Sequence, residues 1–214
     1  CGHGASLRAI TGDVSVGCWV KSATTNVDSA DGIVNHWDTS VSGRRWAIVG
    51  GGDDKWRVWL SDDGSWNAGH YKDYTGDVVF DNSWHYIEFT FDASESELLM
   101  YTDGSVITPT KNTDSAITSL CNNDDDLLIG AQLTSGAVRR EYTGLIDEVR
   151  VSDKVRTSTE ISTIWNNGSG LPFGVDANTV ALWHFNEGAD ATAYDETTNN
   201  NDGTITGASW ADGY

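Results

Sequence analysis

Three groups of residues in this chain of 214 carry side chains suited to chemistry or to recognition. The first is Asp147-Glu148, set inside the alternating stretch Tyr142–Val151. Hydrolysis of a glycosidic bond needs two carboxyl groups about 5–9 Å apart across the bond. Neighbours on a strand point to opposite faces, so these two are not expected to flank one bond. No nucleophile elbow, His-Glu-x-x-His or Cys-x-x-Cys spacing occurs, and the five histidines are scattered. The chain is therefore expected not to be an enzyme. The second group is the turn Tyr194–Gly203, where Asp195, Asn200, Asn201 and Asp202 offer hard oxygens. Calcium takes about six to eight such ligands. Asp147 joins the candidate set if the strand before this turn pairs near the strand that carries it. An Asx-rich turn closed by its own hydrogen bonds is the alternative. The third group is aromatic: Trp37, Trp56, Trp59, Trp66, Tyr71 and Tyr74 lie within or beside turns rich in Asp, Asn and Gly. Along Trp56–Leu60, alternation places Trp56, Val58 and Leu60 on one face and Trp59 on the other. Trp66 sits in the polar loop at 62–70. Trp59, Trp66 and Tyr71 are the expected outward-facing set.

The elements that must hold these groups read as strands almost throughout. Val14, Val16, Cys18 and Val20 alternate with Ser15, Gly17, Trp19 and Lys21. Trp46–Val49 and Trp56–Leu60 are joined by Gly50–Asp54, whose residues accept positive φ. Trp84–Phe91 alternates again, and Asp103-Gly104 marks a hairpin between Leu98–Thr102 and Ser105–Ile107. One segment breaks the pattern. Thr157-Ser158-Thr159-Glu160 is a capping box followed by Ile161, Ile164 and Trp165 at helical spacing, predicting one short helix near 158–167. Two stacked antiparallel sheets follow from the rest.

The charge excludes some partners. With 32 acidic against 13 basic residues the net charge is −19, and no basic stripe exists to neutralise phosphates. Nucleic acid is not an expected partner, nor is an anionic bilayer. No stretch approaches the ~20 apolar residues of a membrane-spanning helix. Beginning at Cys1 without an initiator Met, the chain is expected to have been cut or trimmed. Cys18 faces the core by alternation and is expected to be a free buried thiol, with a disulfide as alternative; Cys1 is a candidate for intermolecular pairing.

Gly144–Trp165 (GLIDEVRVSDKVRTSTEISTIW), Trp84-His85-Tyr86 with Tyr101–Gly104, and Ala181–Trp210 (ALWHFNEG through NDGT to Trp210) together resemble the motifs of laminin G-like (LamG) jelly-roll modules. That family belongs to the concanavalin A-like sandwiches. The resemblance implies an all-β, two-sheet antiparallel jelly-roll sandwich of extracellular location, with sugar binding as the common trade and a structural calcium ion as a frequent cofactor. It implies glycans as partners for the Trp59, Trp66 and Tyr71 set. The order differs: the segment that resembles the family's entry comes last here. Residues 1–170 then form the sandwich body, 171–178 (LPFGVDAN) a linker, and 179–214 an entry segment too short to fold alone. Val180, Leu182, Trp183, Phe185, Ile205 and Trp210 are its assembly residues. The leading expectation is that they complete the sheet of another copy, head to tail, giving a filament or surface array with a structural or adhesive role. The alternative is a monomeric carbohydrate-binding module whose tail closes on its own chain.

Overall fold

The computed structural model describes residues 4–22, 30–40 and 42–214; Cys1, and with it the intermolecular pairing expected of it, lies outside these. After the one-turn helix α1 (Ala5–Arg8) come β1 (Val14–Lys21), β2 (Gly32–Trp37), β3 (Arg44–Gly50), β4 (Lys55–Ser61), β5 (Tyr71–Val78) and β6 (His85–Asp92). Then follow β7 (Glu97–Thr102), β8 (Ser105–Val106), β9 (Thr110–Asp114), β10 (Leu128–Ile129), β11 (Gln132–Thr134) and β12 (Ala137–Arg139). The chain closes with β13 (Leu145–Ser152), helix α2 (Ser158–Trp165), β14 (Thr179–Trp183), β15 (Thr192–Ala193) and β16 (Gly203–Thr204).

The long strands make two antiparallel sheets. The first has the order β14-β13-β1-β6-β7-β8 and the second β10-β2-β3-β4-β5-β9. Their facing surfaces are the alternate apolar residues of each strand: Val14, Val16, Cys18 and Val20 from β1, Ile87, Phe89 and Phe91 from β6, Trp46 and Ile48 from β3, and Trp56, Val58 and Leu60 from β4. Each such side chain contributes about 1.5–3 kcal/mol when fully buried, so the period-two pattern is what drives the layers together. Cys18 is free and fully buried in this row, where burial pushes its thiol far above the ordinary range. Trp56 and Tyr74, aromatic neighbours of the polar turns but outside the expected outward-facing set, are core residues at 0% and 1% exposure.

The other face of the first sheet is covered. Thr157 and Glu160 form the capping box that starts α2, the Thr157 hydroxyl accepting from Glu160 N and the Glu160 carboxylate from Thr157 N. The helix lays Ile161 into a second apolar cluster with Trp19, Tyr86, Tyr101, Phe173 and Leu182. Phe173 comes from the segment read as a linker; the Arg150 guanidinium lies 4.6 Å from its ring centroid. Arg156 ties that segment down with two hydrogen bonds to Asp176, at 2.7 and 3.0 Å.

The C-terminal strands close on their own chain, the arrangement expected as the alternative. β14 pairs with β13 of its own chain, Val149 opposite Trp183 and Val151 opposite Ala181. Val180 and Trp183 enter the main core, Leu182 enters the helix-side cluster, and Phe185 and Ile205 pack against the core. Trp210 stays at the rim, its indole N–H donating to the Asp190 carbonyl at 3.1 Å. The physical reason is that α2 and the Asp176 anchor reverse the chain beside the bare edge of β13, so the nearest unpaired edge is the chain's own. Further along the segment, Gly203–Thr204 pairs with Thr192–Ala193. Among the described residues no helix is long and apolar enough to cross a membrane.

Candidate functional site

The second sheet turns its outer face to solvent, and alternation along β4 places Trp59 there, as the spacing predicts. Trp59 stands opposite Ala47 on β3 and Asp73 on β5. Its indole N–H donates to Asp73 Oδ1 at 3.1 Å, which fixes the ring, and Asn112 on β9 donates to the same oxygen at 3.2 Å. Trp37, buried at 2% exposure, supports it from β2 with ring centroids 5.5 Å apart. The loop between β4 and β5 then folds Trp66 back over the sheet. Trp66 meets Trp37 and Trp59 edge-on at 5.3 and 5.4 Å and stacks on Tyr71 at 4.2 Å with 20° between planes. Such ring pairs are worth about 0.5–1.5 kcal/mol each beyond area burial. Trp66 nevertheless remains 38% exposed. The structure thus brings Trp59, Trp66 and Tyr71 into one platform, with Trp37 as its support and Thr113 donating to the Tyr71 phenol oxygen at 3.1 Å.

The same loop carries the polar rim. His70 Nδ1 lies 3.0 Å from Asp62 Oδ1 and 3.6 Å from Asp63 Oδ2. Asp63 accepts from Ser65 N at 2.8 Å; its slight burial works the other way, yet the Ser65 contacts hold its carboxyl below the ordinary range. Asp62, Asp63 and His70 present ligand atoms all within 4.8 Å of one another. Three ligands on an exposed loop fall short of the oxygen shell of calcium. His70, Asn112 and Thr113 were not singled out by sequence reasoning. The polar loop around Trp66 was the available signal for His70; the β9 residues reach the platform only through long-range pairing.

The residues expected to hold calcium do not form one ligand set. Asp195 is 8% exposed and accepts five hydrogen bonds: from Leu182 N and Thr197 N at 3.0 Å, Asn201 N and the Thr197 hydroxyl at 2.8 Å, and Asn201 Nδ2 at 2.9 Å. Protein donors fill both of its oxygens, leaving no lone pair for a cation. Asp202 accepts from Asp195 N at 2.9 Å, while the Asn200 amide donates to its neighbour Thr198. Asp147 is held elsewhere, by Glu148 N and Tyr214 N. This donor arrangement is that of an Asx-rich turn and does not fit calcium.

The alternation argument about Asp147 and Glu148 is corrected by a β-bulge. The register between β1 and β13 shifts at Gly17/Trp19, and Glu148 takes φ 49°. The extra residue breaks strict alternation, as bulges do. Asp147 accepts from Tyr214 N at 2.8 Å; Glu148 accepts from Phe173 N at 3.2 Å and lies 2.8 Å from His184 Nδ1, so both carboxylates reach the helix side of the first sheet. Burial pushes both carboxyl groups above the ordinary range, against their hydrogen bonds. Both are covered: Asp147 by Tyr214, Glu148 by Phe173 and His184.

Two six-stranded antiparallel sheets, one faced by a short helix and the other by an open aromatic platform, define a lectin-type jelly-roll sandwich. Residues 3–162 match the family model described as the concanavalin A-like lectin/glucanases superfamily, and the chain belongs to that family. Comparison with curated proteins returned no match. A protein from Bacteroides ovatus ATCC 8483, described as a candidate carbohydrate-binding protein, is similar with a TM-score of 0.64 at 16% identity, over 91% of this chain and 54% of that one. The chain therefore spans about half the length of that protein. The heptameric SAP-like pentraxin of Limulus polyphemus is similar with a TM-score of 0.57 at 13% identity, over 79% and 76% of the two chains. The CBM40 module of the Ruminococcus gnavus IT-sialidase, solved with α2,3-sialyllactose, gives 0.57 at 14% identity, over 75% and 85%. At these identities the likeness is one of fold.

Proposed function

We propose that this chain is a non-enzymatic extracellular glycan-binding module that closes its own sandwich, with Trp59, Trp66 and Tyr71 as its sugar platform. One observation carries the reading: Trp66, 38% exposed, is held by stacking on Tyr71 and by edges of Trp37 and Trp59 amid a rim of polar side chains. A flat apolar ring with hydroxyl-reading groups beside it is what a pyranose face needs. The carbohydrate roles of the Bacteroides ovatus and Ruminococcus gnavus proteins support it. The rim narrows the ligand class. Asp62, Asp63 and Asp73 surround the rings in a chain of net charge −19, so a sugar carboxylate is repelled and a neutral glycan is favoured.

The cover of Glu148 by Phe173 and His184 supports a role without catalysis. The seating of β14 on β13 supports a monomer over head-to-tail donation; polymers in solution that disappear when 179–214 is removed would reverse that choice. The binding test is a glycan array with neutral and sialylated members, followed by titration. Trp66→Ala is expected to weaken binding about ten-fold, or about 1.4 kcal/mol, measured well below a melting point that the loss of its ring pairs lowers. Binding that survives both Trp66→Ala and Trp59→Ala, or that prefers sialylated members, would defeat the reading.

A further inference from the structure

A second aromatic cluster lies on the helix side of the first sheet. Trp19 projects from β1 onto the helix side of the first sheet, yet is only 1% exposed. Its cover is the segment 211–214. The Tyr214 ring stacks on the Trp19 indole, centroids 3.5 Å apart and planes 13° apart, and meets the edge of Trp84 at 6.0 Å and 84°. Tyr214 N donates to Asp147 Oδ2 at 2.8 Å, and the phenol hydroxyl donates to the Gly168 carbonyl. These contacts read a flat ring, a backbone N–H beside it and a hydroxyl at its far end.

The groove and its occupant are shaped to one another. A Cβ on Gly170 would stand 2.3 Å from the Tyr214 ring, and one on Gly213 would stand 2.4 Å from Asp147 Oδ2. Any larger residue at either place closes the groove or lifts the segment out. The floor and one wall are fixed independently of the segment: Trp19 packs against Tyr86 at 5.5 Å, and Asp147 is held by Glu148 N. The occupant is the solvent-facing partner: Tyr214 remains 39% exposed against 1% for Trp19. A fixed receptor with a half-solvated occupant has the anatomy of an exchangeable complex.

We infer that the Trp19–Trp84–Asp147 groove is a docking site for an aromatic residue of a peptide, filled in cis by residues 211–214 and open to exchange with an equivalent peptide in trans. Asp147 makes the site selective: it takes a ring that presents an N–H and repels a carboxylate at the same place. The site is independent of the aromatic platform, which lies on the other sheet.

The test uses the full chain and a fluorescein-labelled Ala-Asp-Gly-Tyr amide, the sequence of 211–214 without a terminal carboxylate. Fluorescence polarisation is expected to show saturable binding to the Tyr214→Ala variant and at least ten-fold weaker binding to the unmodified chain, whose own segment competes. Adding Trp19→Ala to Tyr214→Ala is expected to abolish binding. Adding Gly170→Ala instead sets a Cβ against the docked ring; because Gly170 sits at φ 54°, it is read beside its own melting transition, and it is expected to do the same. Equal binding to the unmodified and Tyr214→Ala chains overturns the inference, as does no binding to Tyr214→Ala when its melting transition is intact. Binding that survives Gly170→Ala overturns it too.

Discussion

Replacing Asp195 by Ala tests the turn that anchors the C-terminal strands. The carboxylate removed accepts from the backbone N–H groups of Leu182, Thr197 and Asn201, residues 0%, 6% and 4% exposed. It also accepts from two side chains, the Thr197 hydroxyl and the Asn201 amide. A buried donor left without a partner costs about 1–3 kcal/mol. Water entering the vacated space offsets part of three such losses, so the expected destabilisation is about 3–5 kcal/mol. For a domain of this length each kcal/mol lowers the melting point by about 2–4 °C, giving a fall of about 6–20 °C. Calorimetry or urea unfolding of the parent and of Asp195→Ala reads this directly. A chelator arm separates a hydrogen-bonded turn from an ion site: with both Asp195 oxygens taken by protein donors, the parent is expected to melt at the same temperature with or without chelator. The reasoning is refuted if Asp195→Ala lies within about 1 kcal/mol of the parent. It is refuted equally if chelator lowers the parent by several degrees and leaves the variant unmoved.

Two further outcomes follow from packing and charge. At Gly17 a Cβ would stand 2.6 Å from the Tyr86 hydroxyl and 3.1 Å from Glu88 Cγ, beneath residues 0% and 1% exposed. Gly17→Ala is expected to cost about 1–3 kcal/mol by overpacking, and a urea midpoint equal to the parent's would show that the strands yield there. At Glu160, burial pushes the carboxyl up, but hydrogen bonds from Lys154 and Thr157 prevail and hold it down to about 2 from 4.5. A depressed folded value means stability present above 4.5 and lost as the pH falls toward 2. The stability difference between the parent and Glu160→Gln is therefore expected to be full near neutrality and to close across that acid window; a difference independent of pH would count against the capping-box ion pair.

What was legible in the sequence was whatever depends on neighbours along the chain. Alternation placed Val14, Val16, Cys18 and Val20 inward and Trp59 outward, because side-chain direction repeats every two residues. The helix was legible from Thr157 and Glu160, whose capping contacts are local. Alternation failed at Asp147-Glu148, where one residue too many on β13 puts Glu148 at positive φ without a glycine to announce it. Trp56 and Tyr74 differ from Trp59 and Tyr71 only in strand phase, so aromatic type alone could not sort core from platform. Phe173 sits in a Pro/Gly-punctuated stretch that reads as linker; its burial depends on Arg150 and Tyr86, which come from distant strands. The destination of β14 was likewise unreadable, because an edge strand's pattern does not say whose edge it meets.

The placement of β1 between β6 and β13 has a consequence for the chain as it is made. Its first edge is covered when His85–Asp92 emerges, but the second waits for Leu145–Ser152. About 120 residues separate Lys21 from Leu145, which at about 5–20 residues per second is roughly 6–25 s of elongation. Through that interval a strand with Val14, Val16, Cys18 and Val20 on one side has an unpaired row of N–H and carbonyl groups, the template that foreign strands seek. Neighbouring nascent chains on one messenger carry the same edge, and also the same growing negative charge. The acidity on which the proposed ligand preference rests thus also holds unfinished copies apart.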